Sequence, residues 1–106
     1  MNFGRGRFRN LVERQLDLFE EDEGALLDEA RAADARWTHA AADESEERYG
    51  EYQLVVDAVG EHLHDIRETY AATLDDSTAA DYRTAFDRQA SRRFPRFVTA
   101  LLEEEG

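Results

Sequence analysis

The sequence predicts an all-α protein, a compact antiparallel helical bundle of three long helices plus a short C-terminal helix after Pro95. Three observations predict it. One proline and six glycines interrupt 106 residues, so strong helix formers run nearly unbroken. Apolar residues recur at three- and four-residue spacing, the period of one helix face. The single valine-rich stretch that could pass for a strand, Tyr52 to Val59, has no second strand to pair with. The length favours one domain spanning 1–106.

The first helix is expected from about Arg7 to Glu21, where Phe8, Leu11, Val12, Leu16, Leu18 and Phe19 fall within an arc of about 160°. So wide a stripe calls for cover from more than one neighbour and a central position. Ahead of it, Gly4 and Gly6 interrupt residues 1–6, an expected flexible basic arm. Glu20 to Gly24 marks a turn, and its acids suit the N-terminus of a second helix. In that helix Leu26, Ala30, Ala33, Trp37, Ala40 and Ala41 share a face, small enough for close packing with Trp37 as anchor.

A break is expected between Asp43 and Gly50. A single helix from Gly24 to Leu74 would be about 76 Å long, too long for a compact domain of this size. The third helix, about Ser45 to Leu74, carries Tyr52, Val55, Val56, Val59, Leu63, Ile66 and Tyr70 on one stripe. Ser77 or Thr78 is the expected cap of the next helix, with Asp81 completing an approximate capping box. Its inward face is Tyr82, Phe86 and Ala90. Phe94, Phe97, Val98 and Leu101 would fall on a face rotated by roughly 90°, so Pro95 resets the register there.

Composition excludes several chemistries. There is no cysteine, hence no disulfide framework or thiolate site. All 13 cations are arginine, which removes Schiff-base lysine and Walker-loop chemistry. Apolar runs are far too short to span a bilayer, so no membrane association and a cytoplasmic location are expected. The net charge of −12 is unevenly distributed. Residues 15–82 carry 20 carboxylates against four arginines, a net of −16, while the segments before and after stand at +3 and +1. Such a body repels polyphosphate, and salt should stabilise it by screening its self-repulsion.

Glu61 and His64 have the Glu-x-x-His spacing used by di-iron helical bundles. With Asp57 and Glu68 they form a ladder of possible ligands, but about 160° from the apolar stripe. The ladder faces away from the core. It leaves an alternative reading, an Fe, Mn or Zn ion held at a subunit interface between two ladders. The N-terminal Arg5, Arg7 and Arg9 interleave with Phe3 and Phe8, and Arg92, Arg93 and Arg96 surround Phe94 and Pro95. Both are candidate contacts for an anion or a partner. Nucleic-acid contact through the arm is a second alternative, and the arginines resting on acidic helices of this chain or of a copy is the simpler one. No nucleophile elbow or phosphate-binding glycine loop occurs. The expected role is therefore a non-catalytic acidic interaction or adaptor module with a protein partner. The off-stripe Leu27 and Leu54 and the wide first stripe point to a homo-oligomer, a homodimer in the simplest case.

Overall fold

The computed structural model describes residues 6–98 and Leu101. The described residues form four helices and no strand: α1 (Arg9–Asp22), α2 (Gly24–Thr38), α3 (Ser45–Ala71) and α4 (Asp76–Arg93). α3 packs along α2 and also meets α4, while α1 lies against α4 and α2. The bundle measures 51 × 28 × 25 Å. No helix among the described residues is long and apolar enough to cross a membrane.

The core joins Val12, Leu16 and Phe19 of α1 to Leu27, Ala30 and Ala33 of α2, to Val56, Val59 and Leu63 of α3 and to Tyr82, Phe86 and Ala90 of α4. Phe8, Phe94, Phe97, Val98 and Leu101 close it. α1 buries a narrower arc than its stripe suggested, for Leu11 is only partly covered and Leu18 is 48% exposed. The longest helix, α3, makes the most extensive packing instead, against α2 and α4.

α1 and α2 are separated by Glu23 alone, with φ −114° and ψ 33°. Backbone bonds still run from the Glu23 amide to the Phe19 carbonyl and from the Leu27 amide to the Glu23 carbonyl. The expected turn is thus a one-residue kink. In α2 the inward leucine is Leu27, 1% exposed, and Leu26 is only partly covered. The alanines on either flank fit equally well against a neighbour, so they do not fix the rotation of the helix.

The break before α3 also comes earlier than expected. α2 stops at Thr38, residues 39–44 turn, and α3 starts at Ser45 with Glu46 and Glu47 in its first turn. Carboxylates there complement the helix N-terminus. Gly50 lies inside α3. Asp75, rather than Ser77 or Thr78, caps α4: its carboxylate accepts from the Thr78 amide at 2.9 Å and from the Thr78 hydroxyl at 3.0 Å. These bonds hold the Asp75 carboxyl below its ordinary range, and Asp, with two acceptor oxygens, suits that place. α4 ends at Arg93, and a turn over 95–97 redirects the chain as Pro95 requires. Apart from Leu101, residues 99–106, where the short final helix is expected, lie outside the described residues, as do residues 1–5 of the arm.

Candidate functional site

The second half of α3 carries a buried cation that periodicity places on the core stripe. Arg67 follows Leu63 by four residues and is 1% exposed. A guanidinium so enclosed must be paired. Its Nε donates to Glu68 Oε2 at 2.8 Å and its Nη1 to Asp87 Oδ1 of α4 at 2.7 Å. Glu68 also receives a two-pronged contact from Arg83 of α4, with Nε at 2.9 Å and Nη2 at 2.8 Å. Such forked pairing is among the stronger polar contacts available to a protein. Arg83, against the cost of partial burial and with help from Arg67, lowers the Glu68 carboxyl to about 2. Glu68 is therefore an anion throughout the neutral range, committed to two guanidiniums.

The remaining members of the ligand ladder do not gather. Asp57 is exposed and accepts from Gln53 at 3.1 Å. Glu61 is exposed, and His64, about one-third exposed, lies 4.0 Å from Asp65. Among the described residues no three His, Asp or Glu side chains come together in a way that could hold an ion. The reason is geometric: Asp57 and Glu68 stand about 16 Å apart along one helix axis. His62 stacks at 6.5 Å from Phe19 and lies 4.0 Å from Glu23.

The basic residues are spread rather than pooled. Arg7 lies 5.4 Å over the Phe8 ring, and Arg9 is 3.7 Å from Glu13. Arg93 Nη1 reaches Asp17 of α1 at 2.6 Å and Glu20 at 3.8 Å. Arg96 forks onto Asp34 of α2 at 2.7 and 2.6 Å, with its Cζ 6.0 Å from the Trp37 ring. Arg92 is exposed, and Arg5 lies outside the described residues. Arg93 and Arg96 thus tie the end of α4 and the turn after it to acids of α1 and α2.

At this end of the bundle Trp37 meets Tyr49 and Tyr52 at 4.8 and 4.9 Å between centroids, and Tyr52 meets Phe97 at 6.5 Å. The Tyr52 hydroxyl donates to the Arg96 carbonyl, and burial raises its pKa despite the neighbouring Arg96. At the other end Tyr82 packs on Tyr70, Phe8 and Phe86. Its hydroxyl donates to Gln15 Oε1 at 2.8 Å, and burial pushes its pKa up to about 12.

Between α2 and α3 runs an open groove of about 410 Å³, lined by Glu29, Arg36, Arg48, Glu51, Leu54 and Val55. Glu51 takes Arg48 at 3.0 Å and Arg36 at 3.7 Å. Leu54 is 73% exposed, the most exposed large apolar side chain described; Leu27, the other off-stripe leucine, belongs to the core. Sequence reasoning missed both this groove and the Arg67 network. The position of Arg67 on the Leu63 stripe was the available signal for the latter. Comparison with protein-family models, with curated proteins and with solved structures finds no match.

Proposed function

We propose that the chain is a non-catalytic, acidic helical interaction module of the cytoplasm that associates with a copy of itself. The observation that carries this reading is the groove between α2 and α3, where an exposed leucine stands in a concavity rimmed by both signs of charge. Single exposed leucines are ordinary on protein surfaces. A leucine in a groove with polar edges has the anatomy of a contact patch, apolar at its centre and charged at its rim.

The chemistry of the polar cluster on α3 and α4 supports the non-catalytic part. A general acid or base works best with a pKa near the operating pH, and Glu68 is held at about 2 by two guanidiniums. Sedimentation equilibrium from micromolar to millimolar concentration tests the reading. The apparent mass is expected to rise above 12.2 kDa as concentration increases, and a constant monomer mass across the range would overturn it.

A further inference from the structure

Glu51 is shared by two arginines, Arg36 and Arg48, whereas Glu29 lines the same groove with no ion pair among the described residues. Within one chain the charges of this surface are unevenly matched. From this imbalance we infer that the groove is a two-fold contact with a second copy of this chain, the Leu54 side chains meeting near the axis and Glu29 pairing with Arg36 or Arg48 of the other copy. The inference rests on the self-association proposed above and assigns it a surface.

Three features select a second copy as the occupant. A symmetric dimer places the same patch on both sides, so the patch must complement itself. This one does, with two carboxylates and two guanidiniums around an apolar centre. An all-acidic or all-basic partner would match only half of those charges. The groove also holds two of the four arginines found between residues 15 and 82, a stretch with a net charge of −16. Two copies that repel elsewhere therefore meet less repulsion here, where two guanidiniums offset the two carboxylates of the lining.

Finally, Leu54 is flanked one helical turn away by Gly50 and Ala58. A Cβ added at Gly50 would meet nothing within 4 Å. The helix surface around Leu54 is therefore low, and a partner helix can come close.

The test compares the full chain with Leu54→Glu, Glu29→Arg and Leu18→Glu by sedimentation equilibrium, with circular dichroism to verify helicity. Leu54→Glu should raise the dimer dissociation constant at least about tenfold while leaving the melting temperature in place, because that side chain is already in solvent. Glu29→Arg should weaken the dimer in the same direction by setting three cations around one carboxylate. Leu18→Glu, on the exposed side of α1, should change the constant less than about twofold. A wild type that dimerises together with Leu54→Glu and Glu29→Arg variants of unchanged affinity would overturn the assigned surface and leave self-association standing. A monomeric wild type would remove both. Should Leu54→Glu unfold, Glu29→Arg alone decides.

Discussion

Along the second half of α3, Arg67 and Glu68 meet Arg83 and Asp87 of α4, and two cations are matched to two anions inside the chain. Along the first half, Arg36 and Arg48 converge on Glu51, Glu29 has no ion pair among the described residues, and Leu54 stands in water. The same helix thus closes one of its ends on itself and leaves the other open. The difference lies in burial. Arg67 is 1% exposed, so removing its partners would strand a charge in a poorly solvated place. The rim charges of the open half remain hydrated and cost little whether paired or not.

Breaking the closed half should have the largest effect. Arg67→Ala empties a buried site and strips Asp87 and Glu68 of a shared guanidinium. Both carboxylates retain some water contact, so we expect a loss of about 3 kcal/mol, the low end for a broken buried pair, measured by urea unfolding. A loss below about 1 kcal/mol, the level of exposed pairs, would show that the two halves do not differ in this respect.

Acid should probe the same half next. The Glu68 carboxyl titrates near 2 in the folded chain, below its ordinary 4.5, so the unfolded chain binds the proton first as pH falls. The stability this group contributes is fully present above about 4.5 and is lost as the pH drops toward 2. Glu68→Gln should therefore flatten the stability curve in that window. An unchanged slope between wild type and variant would remove Glu68 from the acid response.

The open half should respond with the opposite sign. Gly50 sits inside α3 with free space around it, and alanine there should raise stability by about 0.5 to 1 kcal/mol through helix propensity. Destabilisation by Gly50→Ala at low protein concentration would mean that the monomer already covers this surface.

Much of the bundle is legible in the sequence, for identifiable reasons. The stripe from Val56 to Leu63 is built of branched residues on one face, and α3 buries that face. Pro95 denies α4 a continuation, and the helix ends at Arg93. Alanine carries less information. The Leu26 and Leu27 phases of α2 differ by one residue and are separated only by what α2 packs against. The alanines at 40–42 favour helix intrinsically, yet the chain turns over 39–44.

The polar features depend on pairs from different helices. Arg67 lies on a recognisable stripe, but Asp87 is twenty residues away, and no period within one helix reports such a partner. The ladder of Asp57, Glu61, His64 and Glu68 shows the converse. Its spacing along one helix was visible, but the contacts of Glu68 come partly from α4. The groove likewise combines Glu29 and Arg36 of α2 with Arg48, Glu51 and Leu54 of α3, residues brought together only by the packing of two helices.

The contrast between a closed and an open half of α3 is tested most directly by cross-linking, because the chain contains no cysteine. A single Leu54→Cys substitution places one thiol at the centre of the open surface, and a disulfide forms only where Cα atoms come within about 7 Å. Under mild oxidation this variant should form a covalent dimer well ahead of a Leu18→Cys control. Equal rates for the two thiols, or no covalent dimer from Leu54→Cys at concentrations where the protein self-associates, would contradict the account.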